Sequence, residues 1–124
     1  MKLISILLFL VSSNSFASEK IIDACKQKMA DLKQESGLAV LNITNNDTTR
    51  TPEGGPYQRK SLACDEQGCK VVSHKDFFIS YEPGHKDANK HGYVTYPYIS
   101  LDKEIQDLAK INYAYKALKS VCQL

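Results

Sequence analysis

Apolar residues recur at intervals of three and four near both ends of the chain, and this pattern constrains the fold more than any other feature. The first set is Ile22, Cys25, Met29, Leu32, Ser36 and Ala39. The second set is Leu101, Ile105, Leu108, Ile111, Tyr115, Leu118 and Cys122. The spacing predicts one amphipathic helix over residues 18–41 and another from Leu101 to about Val121, with Ser100 as its N-cap and Asp102 and Glu104 in its first turn. Because short isolated helices are marginal in water, we expect the two to pack against each other, antiparallel.

The segment between the helices combines loop and strand patterns. Turn residues at 45–47 and 54–56 predict a loop, and residues 57–81 read as β structure with a hairpin turn at 65–68. Pro83 and Gly84 stand where a type II turn would place them, and a short extended piece follows at 92–96. The predicted fold class is therefore α+β: an antiparallel pair of terminal helices with a small β-hairpin and loop region between them.

The chain has four cysteines, which allow three pairings. In an antiparallel helix pair, Cys25 near the start of the first helix lies beside Cys122 near the end of the second. Cys64 and Cys69 flank the hairpin turn. We therefore predict two disulfides, Cys25–Cys122 and Cys64–Cys69.

Residues 1–17 have the pattern of a secretory signal peptide. Lys2 supplies a positive charge, residues 3–11 are apolar apart from Ser5, and Ser15 and Ala17 are small residues at the positions that a signal peptidase reads. The alternative, a membrane anchor, is disfavoured because the apolar run is about half the length that a spanning helix needs. We predict cleavage after Ala17, a single domain over residues 18–124, and no transmembrane segment.

Charge and side-chain chemistry argue against several function classes. The formal net charge is only +2, and loss of Lys2 with the signal peptide would lower it further, so nothing favours a nucleic acid as partner. A zinc site would draw on Cys64, Cys69, His74, His85 and His91, but their spacing is poor and a disulfide is the better interpretation in an exported chain. We predict no catalytic residues, no cofactor, no metal and no small-molecule substrate; the chain is not predicted to be an enzyme.

Three collinear segments resemble a known family. Residues 42–57 read Asn-Ile-Thr-Asn-Asn-Asp-Thr-Thr-Arg-Thr-Pro-Glu-Gly-Gly-Pro-Tyr, residues 81–88 read Tyr-Glu-Pro-Gly-His-Lys-Asp-Ala, and Gly-Tyr-Val follows at 92–94. The third segment combines residues 101–105 with residues 113–115. Together they resemble the FlgC family of flagellar basal-body rod proteins.

The resemblance implies a structural role in the basal-body rod, with other rod or basal-body proteins as partners and a periplasmic location in the flagellum. It also implies that the loop after the first helix makes subunit contacts. The contact residues would be Asn42, Ile43, Asn45, Thr48, Thr49, Arg50, Thr51, Pro52, Glu53, Gly54, Gly55, Pro56, Tyr57 and Arg59. The signal peptide and the cysteines depart from the family pattern. They leave open an alternative, a stand-alone periplasmic accessory or binding protein with the same fold that does not assemble into the rod.

Overall fold

A computed structural model describes residues 2–122, the segment 2–17 by its backbone alone. The chain forms helix α1 (Lys2–Thr44), strands β1 (Arg59–Asp65), β2 (Gly68–His74), β3 (Phe77–Tyr81) and β4 (Tyr93–Pro97), and helix α2 (Leu101–Val121). This is the predicted α+β arrangement. Among the residues that the structure describes, no helix is long and apolar enough to cross a membrane.

Helix α1 begins earlier than the predicted start at residue 18. No Gly or Pro precedes Gly37, so nothing in the sequence interrupts the helix between residues 2 and 36. The helix ends where Asn45 donates to the carbonyl of Leu41 from both its backbone N–H, at 3.0 Å, and its side-chain amide, at 2.9 Å. The Asn45 side chain therefore adds a second hydrogen bond to the Leu41 carbonyl in the last turn of α1.

The two helices run antiparallel, as predicted. Cys25 is bonded to Cys122 at one end of the pair, and Asn42 meets Glu104 at the other. Among the helix side chains from residue 18 onward that the structure describes, the buried apolar ones are Met29, Leu32, Ala39 and Ile111.

The start of the α2 stripe differs from the prediction. Leu101 and Ile105 are exposed by 38% and 53%, whereas Glu104 is buried at 3%. At this level α2 faces polar groups of α1 and β1, with which Glu104 forms hydrogen bonds. Because its carboxylate has hydrogen-bond partners, Glu104 occupies the buried position that the apolar pattern predicted for Leu101 or Ile105.

The strands form two separate antiparallel pairs, β1 with β2 and β3 with β4. In the first hairpin Asp65 is opposite Gly68, which has φ of +128°, and Cys64 is opposite Cys69. These two cysteines are bonded to each other, so the structure contains both disulfides of the predicted pairing.

The turn after β3 is not of the predicted type II. His85 N–H donates to the Glu82 carbonyl at 3.0 Å, but Gly84 is not among the glycines with positive φ, as a type II turn would require. The glycine with positive φ in this region is Gly92, at +86°. A β-carbon there would lie 2.8 Å from Cε2 of Tyr81.

Candidate functional site

Residues 48–57, here called the contact loop, fold back on themselves. Tyr57 N–H donates to the Thr48 carbonyl at 3.0 Å and closes the base. At the tip, Thr51 N–H donates to the Gly55 carbonyl at 2.8 Å and Gly54 N–H to the Thr51 carbonyl at 2.9 Å. Gly54 and Gly55 have φ of +90° and +74°, a conformation that other residues rarely adopt. The contact loop is thus a compact surface loop shaped by its own hydrogen bonds.

A buried asparagine lies beneath the contact loop. Asn42 is 1% exposed. Its Nδ2 donates to the Lys60 carbonyl at 2.8 Å and to Glu104 Oε2 at 3.2 Å, and its Oδ1 accepts from Tyr57 Oη at 2.9 Å and from Lys60 N–H at 2.8 Å. An amide side chain has two N–H donors and two acceptor lone pairs, so the full capacity of Asn42 is used. It joins both helices, β1 and the contact loop.

Glu104 carries a negative charge into this buried site. Arg59 Nε donates to Glu104 Oε1 at 2.6 Å, and the Arg59 side chain remains 26% exposed. Burial raises the pKa of Tyr57, and the Glu104 carboxylate raises it further, so the phenol stays a hydrogen-bond donor over the physiological range. The four side chains form one connected unit, here called the junction: Asn42, Tyr57, Arg59 and Glu104.

Asp87 holds the contact loop from the other side. Thr49 Oγ1 donates to Asp87 Oδ2 at 2.7 Å, and Arg50 Nη2 lies 2.5 Å from Asp87 Oδ1. The hydrogen bond from Thr49, followed by the positive charge of Arg50, holds the pKa of Asp87 below its ordinary value. Asp87 N–H in turn donates to Nδ1 of His85 at 3.0 Å. The loop is therefore fixed to the segment between β3 and β4 as well as to the helices.

The predicted contact residues fall into three groups. Those with exposed side chains or backbone are Arg50, Pro52, Glu53, Gly54 and Gly55, and those that are half-buried are Ile43, Asn45, Thr48, Thr49, Thr51 and Pro56. Asn42, Tyr57 and Arg59 instead bind within the chain, as members of the junction. Their side chains support the loop from below.

Sequence reasoning placed Glu104 only as a first-turn acid and missed its part in the junction. The signal was present in the spacing, because Glu104 lies four residues before Leu108 and so continues the buried stripe. Among the described residues, no group of three or more His, Cys, Asp or Glu side chains is arranged to hold a metal ion.

No protein-family model matches the chain. It is 31% identical to the flagellar basal-body rod protein FlgC of Borreliella burgdorferi, over an alignment of 109 positions that covers 64% of this chain and 72% of that protein. It is 26% identical to the flagellar basal-body rod proteins FlgC of Salmonella typhimurium and Salmonella typhi, over 78% of this chain and 81% of theirs. The extent of the first match and the collinear segments described above agree: the chain belongs to the FlgC family of flagellar basal-body rod proteins.

Proposed function

We propose that this chain is a structural subunit of the flagellar basal-body rod that supports motility and attaches to neighbouring rod or basal-body proteins through its contact loop. The names of its relatives support the basal-body assignment. The observation that carries the role of the loop is its construction. Its base is held by Asn42, through Tyr57, and by Asp87, through Thr49, while Pro52, Glu53 and the two glycines of its tip are exposed.

A loop held in this way is suited to binding. Its backbone is ordered before any partner arrives, so association does not have to supply the ordering entropy of the segment. Arg50 adds a cation that is 67% exposed even though its guanidinium is paired with Asp87. The tip and Arg50 together present a mixed polar surface of the kind found at the rim of protein interfaces.

Exposed apolar side chains on the helices also favour a subunit over a solitary protein. Val40 and Leu41 of α1 are 48% and 49% exposed, and Ile105 and Tyr113 of α2 are 53% and 78% exposed. Exposed apolar side chains of this kind are available for burial against a partner. In the proposed function these side chains are covered by neighbouring subunits.

We further propose that residues 1–17 act as a cleaved signal peptide and that the mature chain, 18–124, folds in the periplasm. The two disulfides support this, because such bonds persist in oxidising compartments such as the bacterial periplasm. Mass spectrometry of the intact protein from the periplasmic fraction should give a chain that begins at Ser18. An intact Met1 would contradict the proposed export route.

The contact loop is tested by reversing one charge at its tip. Glu53→Lys should remove the protein from purified basal bodies without changing its melting temperature, because Glu53 makes no contact with the junction. Glu66→Lys, in the exposed turn of the first hairpin, is the matched control and should leave localisation unchanged. Normal localisation of Glu53→Lys would contradict the assigned role of the loop.

A second candidate function is that of a free periplasmic accessory protein. The Cys25–Cys122 bond favours it, because the bond ties the two terminal helices of one chain together. Under this alternative the protein is found in the soluble periplasmic fraction and is absent from basal bodies. The same fractionation therefore separates the two functions.

A further inference from the structure

The outer edges of the two small sheets differ in how their backbone groups are used. In an antiparallel pair, every second residue of an outer strand turns its N–H and C=O away from its neighbour. In the second sheet, Tyr98 N–H donates to the Asp76 carbonyl and Glu82 N–H to the Gly92 carbonyl, both at 2.8 Å. Residues with even numbers in β3 therefore bond to β4. The N–H and C=O groups of Phe77, Ile79 and Tyr81 face away from β4.

The outer edge of β4 is blocked at both of its ends. Tyr93 N–H donates to Asn89 Oδ1 at 3.0 Å, and the Tyr93 carbonyl accepts from Asn89 N–H at 2.8 Å. Pro97, at the other end of β4, has no N–H to donate. Asn89 and Pro97 thus occupy or remove outward-facing groups at the two ends of β4, and only Thr95 between them keeps its outward-facing N–H and C=O for a further strand.

The outer edge of β1 is also occupied. Lys60 N–H donates to Asn42 Oδ1 and the Lys60 carbonyl accepts from Asn42 Nδ2, both at 2.8 Å, so this edge lies against α1. Ser73 is opposite Lys60 in the register and faces outward on β2. By alternation the outward-facing residues of β2 are Cys69, Val71 and Ser73.

The edges of β2 and β3 therefore remain open, and no backbone hydrogen bond to their outward-facing groups is found within the part of the chain that the structure describes. Their side chains are exposed as well: Val71 by 47%, Ile79 by 65% and Tyr81 by 65%. Open apolar strand edges are templates for pairing with another chain.

Charge disfavours pairing of the β3 edge with itself. β2 carries Lys70 and His74, whereas β3 has no charged residue and is flanked by the acids Asp76 and Glu82. Antiparallel pairing of β3 with itself about Ile79 would place Asp76 opposite Glu82, a like-charge contact. Pairing of β2 with β3 avoids this clash.

We propose that β2 of one copy of this chain pairs antiparallel with β3 of a second copy, with Val71 opposite Ile79. In this register His74 lies opposite Asp76 of the second copy, and Lys70 is diagonal to its Glu82. The pairing is head-to-tail, so each copy keeps one open edge and the contact generates a ring or a helical array. It goes beyond the function proposed above and does not depend on it, because a copy outside the basal body would associate in the same way.

Two proline variants test the pairing. Val71→Pro and Ile79→Pro each remove one outward-facing N–H and no hydrogen bond within a hairpin. In multi-angle light scattering, the mass of the wild-type protein should rise with concentration. Each variant alone should stay monomeric, and an equimolar mixture should give a heterodimer, because one variant supplies an intact β2 and the other an intact β3. Ile79→Val, which keeps the N–H, should behave as wild type.

Each other outcome identifies a different contact and overturns the proposal. Dimers of Val71→Pro alone would indicate β3 paired with β3, and dimers of Ile79→Pro alone would indicate β2 paired with β2. Association of both variants alone would indicate the helices. A wild-type protein that stays monomeric throughout would exclude self-association. Hydrogen exchange on the wild-type protein provides a readout that does not depend on how the variants fold. The amides of Val71, Ser73, Phe77, Ile79 and Tyr81 should exchange more slowly as concentration rises, and unchanged rates would contradict the pairing.

Discussion

Asn42 Nδ2 donates a hydrogen bond to Glu104 Oε2 at 3.2 Å, which joins the last turn of α1 to the first turn of α2. Cys25 and Cys122 join the opposite end of the same helix pair by a covalent bond. Few apolar side chains are buried between these two points. The polar contact and the disulfide therefore fix the register of the helices, and the position of the contact loop depends on the first of them.

The buried carboxylate of the junction should be important for stability. Glu104→Ala would leave the Arg59 guanidinium and one N–H of Asn42 without their partner, and breaking a buried pair of this kind costs about 3 kcal/mol. That figure is the low end of the usual range, since Arg59 keeps some contact with water. Urea unfolding measures the loss. Glu66→Ala, at an exposed turn position, should change stability by less than about 0.5 kcal/mol; equal effects of the two variants would contradict the junction.

The two disulfides should differ in their contribution to stability. The Cys25–Cys122 bond spans 97 residues and the Cys64–Cys69 bond spans 5. Loop-closure entropy then gives about 4.7 kcal/mol for the long loop and about 2 kcal/mol for the short one. The double variant Cys25→Ser/Cys122→Ser should melt at a lower temperature than Cys64→Ser/Cys69→Ser in a calorimetric scan. A reversed order would show that the hairpin bond stabilises the fold more.

Gly84 and Gly92, eight residues apart, should differ in how substitution by alanine changes the stability of the protein. Gly92→Ala forces a β-carbon against the Tyr81 ring at a residue with φ of +86°, which we expect to cost about 1–3 kcal/mol. Gly84 has no positive φ and open space around it, so Gly84→Ala should be neutral or stabilise by up to about 1 kcal/mol. Denaturant titration of the pair is the measurement. Destabilisation by Gly84→Ala would indicate the type II turn that the structure does not contain.

The Asp87 contact makes stability depend on pH in a defined direction. Its pKa is lowered in the folded protein, so its contribution is present above the ordinary carboxyl pKa of about 4 and is lost as pH falls through the folded value. Thermal melts between about pH 5 and pH 2 should therefore show a smaller loss of stability for Asp87→Asn than for the wild-type protein. An equal loss of stability in Asp87→Asn and the wild-type protein over this pH range would contradict the contact of Asp87 with Thr49 and Arg50.

The parts of the fold that follow from periodic patterns could be predicted from the sequence. The antiparallel helices and the disulfide between Cys25 and Cys122 both follow from the apolar stripes. The spacing to Leu108 could indicate that Glu104 is buried, but its partners in the junction could not be predicted, because they lie 45 and 62 residues away along the chain. The Pro83-Gly84 pair was misassigned because a type I turn also accepts proline at its second position, and only the backbone geometry distinguishes the two types.

The sequence also could not predict which strand edges are open. Which backbone groups of β2 and β3 face outward depends on the pairing register. Asn42 and Asn89 bind backbone groups on the edges of β1 and β4 instead. The family resemblance predicted subunit contacts for this loop, but it did not predict the support of the loop by Asn42, Tyr57 and Arg59. In both cases hydrogen bonds of particular side chains decide the outcome.

The most direct test of the proposed function is quantitative mass spectrometry of basal bodies purified from wild-type cells, compared with the soluble periplasmic fraction of the same cells. A rod subunit should be enriched in basal bodies, in a fixed ratio to other rod proteins, with a chain that begins at Ser18. Recovery of the protein only in the soluble fraction would contradict its role in the rod.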